Sequence, residues 1–146
     1  MGIKINIINR RHLIGLSLIM CQSFCVAHAQ KVTLGTTITA DRGEYNGEMQ
    51  GGKPNGKGKT IWSNGNTYDG QWKNGLMDGE GVLREVDGDK FKGTFHEGLK
   101  EGHGVLEDKN GVRYEGDFHL DMKDGQFVVR DGTQVRKVTY VNDMEQ

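Results

Sequence analysis

Aromatic side chains recur in this sequence at a fixed interval. Tyr45, Tyr68, Phe91 and Tyr114 are each separated by 23 positions. In the register that they set, 17 of the 23 glycines fall into five columns. The columns are Gly47, Gly70, Gly93 and Gly116; Gly52, Gly75 and Gly98; Gly56, Gly79, Gly102 and Gly125; Gly58, Gly81 and Gly104; and Gly65, Gly88 and Gly111. Agreement on this scale indicates an internal repeat.

One unit of the repeat predicts two β-strands joined by turns. Rings alternate with polar residues and glycine from Tyr68 to Lys73, a period of two that is typical of a half-buried strand. Asn74-Gly75 marks a turn, because both residues tolerate positive φ. A second strand follows around Gly79 to Leu83, and Asp87-Gly88 predicts the next hairpin. The fold class is therefore all-β, with little or no helix expected.

The repeated glycines of the second strand suggest how the rings pack. Gly79, Gly81 and Leu83 share one face of the strand by alternation. We expect the rings of one strand to lie over the glycines of its neighbour, because a side chain there would push the ring away.

Residues 1–29 have the organisation of a secretory signal. A basic stretch precedes an apolar one from Leu13 to Val26, and Ala27-His28-Ala29 fits the A-x-A cleavage pattern. Cleavage after Ala29 predicts a periplasmic or secreted protein, and an uncleaved N-terminal anchor is the alternative. Both cysteines, Cys21 and Cys25, lie in this segment, so the rest of the chain has no disulfide and no thiol nucleophile.

Cleavage would also change the charge of the chain. The whole sequence has a net charge of −1, with 19 basic and 20 acidic residues. The signal contains Lys4, Arg10 and Arg11, so its removal leaves 16 basic residues against 20 acidic ones. A chain of this charge is a poor candidate for nucleic-acid binding, which depends on neutralising phosphates.

The period and its motif, Tyr-x-Gly-x-Trp followed by Gly-x-Gly and Asp-Gly, resemble the MORN repeat family. Residues 68–90 and 91–113 match the pattern almost fully. The first unit has Met49 at an aromatic position, and the last has Asp121 and Phe127 at glycine positions. The resemblance implies an elongated, single-layer antiparallel sheet of successive β-hairpins, each stacked on its neighbours.

The sequence thus divides into a signal (1–29), an N-terminal capping strand (30–44), four repeats and a C-terminal cap or tail (137–146). The repeats span 45–67, 68–90, 91–113 and a degenerate 114–136. Val32 to Ile38 is β-prone and is expected to pair with the first hairpin, while Val135, Val138, Tyr140 and Val141 are expected to cover the last. An unpaired sheet edge makes a homodimer through the edge or ends of the sheet a further possibility.

The sequence indicates no catalytic residues, metal site or cofactor. His96 and His119 share a column that also contains Gln50 and Lys73, which favours a solvent-facing position over metal binding. Asp78, Glu101 and Asp124 form an acidic row that we interpret as turn residues. The single serine after the signal, Ser63, has no fixed His and Asp around it. We therefore expect no enzymatic activity.

Two functions remain open, and both involve binding. The first is a protein-binding or scaffolding module of the cell envelope with an unknown partner, and its possible binding surface contains Trp62, Tyr68, Trp72 and Phe95. We interpret most of these rings as a thin core. Trp62 is the better candidate for binding, because its column otherwise contains Glu85, Asp108 and Asp131.

The second function is a peripheral module associated with membrane lipids, which the resemblance to MORN repeats also implies. Lys53, Lys57 and Lys59 form the basic cluster that would contact an anionic surface.

Overall fold

The structure is a computed structural model that describes residues 31–146. The predicted signal and its cleavage site after Ala29 lie outside these residues.

The described chain forms twelve β-strands. They are β1 (Thr33–Ile38), β2 (Glu44–Gln50), β3 (Lys53–Ile61), β4 (Thr67–Lys73), β5 (Leu76–Arg84), β6 (Lys90–His96), β7 (Leu99–Glu107), β8 (Arg113–His119), β9 (Met122–Lys123), β10 (Gly125–Asp131), β11 (Gln134–Val141) and β12 (Met144–Glu145). They join one antiparallel sheet in the order β1 to β8, then β10, β11 and β12, and the short β9 pairs with β8. No helix occurs in residues 31–146. The predicted fold class, a single sheet of successive hairpins, is confirmed.

The turns that join β4 to β5 and β6 to β7 place two successive residues at positive φ. In the turn between β4 and β5, Asn74 has a φ of 53° and Gly75 a φ of 93°. The same pair of angles recurs at Glu97 and Gly98, with 49° and 93°. Two positive φ values in succession are typical of a type I′ turn, whose twist matches that of the flanking strands.

Glycines form a continuous row across the sheet. Each pairs with the glycine of the next strand, so that Gly58 lies opposite both Gly47 and Gly70. The complete row from β1 to β8 is Gly35, Gly47, Gly58, Gly70, Gly81, Gly93, Gly104 and Gly116. The 23-residue period of the sequence therefore appears in the structure as a band of backbone without side chains.

Aromatic rings cover this band on one side of the sheet, which we call the ring face. Successive rings contact each other edge to face, with centroids 4.9 to 5.3 Å apart. The order of the row is Tyr45, Trp72, Tyr68, Phe95, Phe91, Phe118, Phe127 and Tyr140. All eight rings are buried. Edge-to-face pairs add to the stability gained by burying the rings, so this row is the core.

The rings lie over glycines, as the sequence predicts. A Cβ on Gly81 would be 2.3 Å from the Tyr68 hydroxyl, and one on Gly104 would be 2.4 Å from Phe91 Cζ. The prediction is wrong for Gly79. A Cβ there would lie 2.1 Å from the Gln71 side chain, and Gly79 has a φ of 105° because a bulge interrupts the ladder between β4 and β5.

The degenerate last repeat closes the row. Phe127 stands in the column of Gly58, Gly81 and Gly104, and its ring occupies the space beside Gly116 that a Cβ would need. Phe127 contacts Phe118 on one side and Tyr140 on the other. Tyr114, the leading ring of this repeat, is only half-buried.

The flanking strands complete the sheet. β1 pairs with β2, and β11 pairs with β10. Val138 and Tyr140 on β11 are buried in the core, whereas Val135 and Val141 are exposed.

Candidate binding surface

Three of the four aromatic residues proposed as a binding surface lie in the core. Tyr68, Trp72 and Phe95 are 0%, 4% and 2% exposed. Tyr68 donates a hydrogen bond to the Gln71 carbonyl at 3.0 Å, and Trp72 Nε1 donates to the Gly58 carbonyl at 3.2 Å. The structure corrects this part of the prediction, because these rings cannot contact a partner without unpacking the sheet.

Trp62 occupies a different position. It begins the turn after β3, where its backbone N–H donates to the Asn66 carbonyl at 2.9 Å. Its side chain is half-buried and packs against the edge of the core, near Gly43 and Thr60. Of the four predicted rings it alone retains an exposed part, and it lies apart from the other three at a hairpin turn.

The opposite side of the sheet, which we call the polar face, carries the charged side chains. Residues next to the buried rings point to it, because successive side chains of a strand alternate between faces. Lys90 and Lys92, for example, flank the buried Phe91. Because the rings are buried on the other side, contacts through exposed charged side chains are made from the polar face.

The predicted lysine cluster is divided by the structure. Lys57 and Lys59 lie two residues apart on β3, where Lys57 is opposite Gln71 and Lys59 is opposite Asp69. Lys53 lies at the start of β3, on the far side of the bulge. The depression beside Lys57 also contains the carboxylates of Glu48 and Asp78, so its charge is mixed.

A second group of basic residues was missed by the sequence reasoning. Arg84 on β5, Lys90 and Lys92 on β6, and Arg113 on β8 share the polar face, with β7 between β6 and β8, and we call them the basic cluster. Lys90 is opposite Arg84 on one side and Glu107 on the other, and Glu107 is in turn opposite Arg113. The cluster combines residues from three strands and two repeats, and comparing outward-facing positions across strands would have revealed it.

The charges of the basic cluster are poorly compensated. Arg84 lies directly opposite Lys90, and like charges in that position destabilise a sheet. The ion pairs within residues 31–146 include Arg113 with Glu107, at 3.9 Å, but none involves Arg84, Lys90 or Lys92. A negatively charged ligand would relieve this repulsion.

Apolar side chains lie beside these cations. Val82 and Val105, both half-buried, are each opposite Lys92. A depression of about 220 Å³ is lined by Lys90, Lys92, Val105, Glu107 and Arg113. The arrangement combines positive charge with a small apolar floor, and it suits an acidic group attached to an apolar one.

His96 and His119, which occupy the same position in successive repeats, each contact an acidic side chain of the preceding repeat. His96 Nδ1 lies 3.2 Å from Asp78, and His119 Nδ1 lies 2.9 Å from Glu101. Hydrogen bonding to Glu101 raises the pKa of His119, and the same contact lowers the pKa of Glu101. Both histidines are exposed, and both pairs link successive hairpins. No group of three or more His, Cys, Asp or Glu side chains that could hold a metal ion occurs in residues 31–146.

The described part of the chain contains no helix with the length and apolar character needed to span a membrane.

The chain matches the sequence model of the MORN repeat at residues 45–67, 68–90, 91–113 and 114–126. Comparison with curated proteins finds no significant match. The four matched segments cover more than half of the sequence and follow the hairpins of the sheet. This chain therefore belongs to the MORN repeat family, whose repeats are generally modules for binding proteins or lipids.

Proposed function

We propose that this protein is a non-catalytic scaffolding module that binds a partner protein through the polar face of its sheet. The observation that carries the proposal is the basic cluster, whose cations Arg84, Lys90 and Lys92 lie together and form no ion pair with an acidic side chain of residues 31–146. The burial of the rings also supports the polar face as the binding surface, because the aromatic side chains of the ring face are packed in the core.

The partner that fits this surface is an extended acidic segment. A strand-like segment crossing β5 to β8 would place carboxylates near Arg84, Lys90 and Arg113, and an apolar side chain near Val105. The predicted signal in residues 1–29 supports a location in the cell envelope, and the envelope is therefore where the partner is sought.

The test compares two variants of equal charge change. Full-length protein, the triple variant Arg84→Gln/Lys90→Gln/Lys92→Gln and the matched control Lys53→Gln/Lys57→Gln/Lys59→Gln are used to capture proteins from an envelope fraction. We expect a specific partner to bind wild type and the control and to be lost with the basic-cluster variant. Equal retention by all three proteins, or equal loss from both variants, would overturn the proposal.

A lipid-associated module is the second candidate, because clustered Lys and Arg side chains are also attracted to anionic membranes. Co-sedimentation with vesicles of anionic phospholipid at physiological salt separates the two functions. Sedimentation of wild type that is lost in the basic-cluster variant, without a captured protein, would favour the lipid function over the scaffold.

A further inference from the structure

The two ends of the sheet are complementary halves of one repeat. β1 pairs with β2 through Thr37 opposite Tyr45 and Gly35 opposite Gly47. The second strand of the first full repeat pairs with the next repeat in the same register, through Thr60 opposite Tyr68 and Gly58 opposite Gly70. β1 is therefore the second strand of a hairpin whose first strand is absent from residues 31–146.

β11 has the opposite character. It pairs with β10 through Val129 opposite Arg136 and Gly125 opposite Tyr140. The same register places Thr60 opposite Tyr68 and Gly56 opposite Trp72. β11 therefore corresponds to the first strand of a repeat.

The outer edge of β11 is only partly covered. Its strand partner there, β12, contacts Tyr140 and Val141 alone. Within the described residues, the edge of β11 from Gln134 to Val138 has no strand beside it.

Exposed apolar side chains accompany both edges. Leu34 and Ile38 on β1 are 83% and 65% exposed, and Val135 on β11 is 58% exposed. All three lie on the polar face, where the inner strands carry charged residues such as Lys90 and Lys92. An edge strand with exposed apolar side chains is a site for pairing with another strand.

We propose that copies of this chain associate head to tail, with β1 of one copy pairing antiparallel with β11 of the next. The two strands would complete a composite hairpin and continue the sheet from one molecule to the next.

The repeats give the register of the pairing. Within a repeat, Gly70 is opposite Gly81, Tyr68 opposite Leu83 and Thr67 opposite Arg84. Applied to the two ends, this register places Val138 opposite Gly35, Arg136 opposite Thr37, and Val135 opposite Ile38. Gly35 leaves room for Val138, and the exposed side chains of Val135 and Ile38 cover each other.

Charge supports this partner over a symmetric pairing of two β1 strands. Lys137 on β11 lies on the polar face, and so do Glu44 and Glu48 on β2, the strand beside β1. Head-to-tail pairing places Lys137 two strands from these carboxylates on the same face, whereas pairing β1 with β1 brings no cation of β11 beside Glu44 and Glu48. A head-to-tail contact does not close on itself unless the rotation forms a ring, so open assemblies are expected.

Disulfide cross-linking tests the pairing in the full-length chain. The only native cysteines, Cys21 and Cys25, are replaced by Ser, and Ile38→Cys and Val135→Cys are introduced into separate proteins. Directly opposite residues of paired strands have Cβ atoms about 4.5–5.5 Å apart, so a small adjustment of the strands allows a disulfide. We expect the mixture to form a disulfide-linked heterodimer under mild oxidation, and the chain carrying both substitutions to form a ladder of multimers.

Two controls keep the test specific. Val86 lies at a hairpin turn and is 70% exposed, so a cysteine there is accessible but is not opposite β1 in the proposed pairing. Val86→Cys should therefore cross-link to Ile38→Cys at least tenfold more slowly than Val135→Cys does. The proposal is overturned if Ile38→Cys cross-links mainly to itself, which would indicate a symmetric pairing of two β1 strands. It is also overturned if Val86→Cys reacts as fast as Val135→Cys, or if no disulfide forms.

Discussion

At the scale of single residues, the sheet depends on glycines that leave space for rings. Gly81 and its equivalents in the row have no positive φ, so their backbone does not require glycine. Glycine is required by the overlying ring instead. A Cβ on Gly81, for example, would lie 2.3 to 2.5 Å from three atoms of Tyr68. One residue type thus allows eight rings to be buried without a second layer of structure.

Replacing one of these glycines tests the packing. Gly81→Ala should lower the free energy of unfolding by about 1–3 kcal/mol, the usual cost of overpacking a core. Gly35→Ala is the matched control from the same row. Its Cβ would meet only the flexible Met49 side chain, at 2.8 Å from Sδ, and the loss should be small. Urea unfolding measures both, and equal losses would contradict the packing account.

Tyr45 makes stability sensitive to alkaline pH. Burial and the nearby Glu48 raise the pKa of Tyr45 from 10.0 to about 12. Between pH 10 and pH 12 the unfolded chain loses this proton while the folded chain keeps it, so the free energy of unfolding falls as the pH rises. Tyr45→Phe should weaken that fall, at a cost of about 1 kcal/mol at pH 7 from the lost hydrogen bond to the Glu48 carbonyl.

Chemical unfolding of both proteins from pH 7 to pH 12 provides the measurement. Phe91 occupies the same column without a hydroxyl, which indicates that phenylalanine fits there. Parallel curves for the two proteins above pH 10 would show that Tyr45 does not contribute.

At the scale of elements, the hairpin turns vary in how well the sequence suits them. Leu120 and Asp121 have φ angles of 50° and 71° in the turn that corresponds to Asn74-Gly75. A bulky residue at positive φ is strained, whereas Asn tolerates this conformation. Asp121 offsets part of the strain, because its carboxylate accepts a hydrogen bond from the Lys100 N–H at 2.8 Å.

Relieving the strain should stabilise the protein. Leu120→Asn is expected to raise the free energy of unfolding by about 1 kcal/mol, seen as a higher denaturation midpoint. Leu99→Asn is the matched control, since Leu99 is also exposed but lies in a strand. A gain of equal size in the control would attribute the effect to the loss of an exposed leucine instead.

The elements also show which structural features the sequence determines locally. The Asn74-Gly75 turn and the position of rings over Gly81 follow from spacing and from residue type, and both were predictable. The bulge at Gly79 was not, because it depends on how β4 and β5 align. The basic cluster was hidden for a similar reason. Arg84 and Lys90 belong to a repeat that is acidic in sum, and only the pairing of β5 with β6 brings these two cations together.

At the scale of the whole molecule, the repeats act as interchangeable units. The contacts of Tyr68 with Thr60 recur between Phe91 and Leu83. The turns after β4 and β6 each donate a backbone hydrogen bond to the preceding repeat, from the Gly75 N–H to the Pro54 carbonyl and from the Gly98 N–H to the Met77 carbonyl, both at 2.9 Å. Stability should therefore be a sum over repeats and their interfaces.

Deleting one whole repeat tests this additivity. Removal of residues 68–90 joins Thr67 to Phe91 and restores the same interface, so the protein should fold with a lower denaturation midpoint and a smaller urea m-value. As a control, removal of residues 68–78 also deletes a strand and a turn. Because this deletion is not a whole repeat, the remaining strands lose their pairing register, and cooperative unfolding should be abolished. Loss of the folded state in the whole-repeat deletion would contradict additivity.

The ring face forms the core, and our proposal is that the polar face binds a partner. Site-specific photo-cross-linking tests it directly, with a benzoylphenylalanine at position 94 or at position 77 of the full-length chain in cells. Thr94 lies on the polar face beside the basic cluster and donates a hydrogen bond to Glu80, whereas Met77 is opposite Trp72 on the ring face. We expect a cross-linked partner protein from position 94 and none from position 77. A partner captured from position 77, or none from position 94, would contradict it.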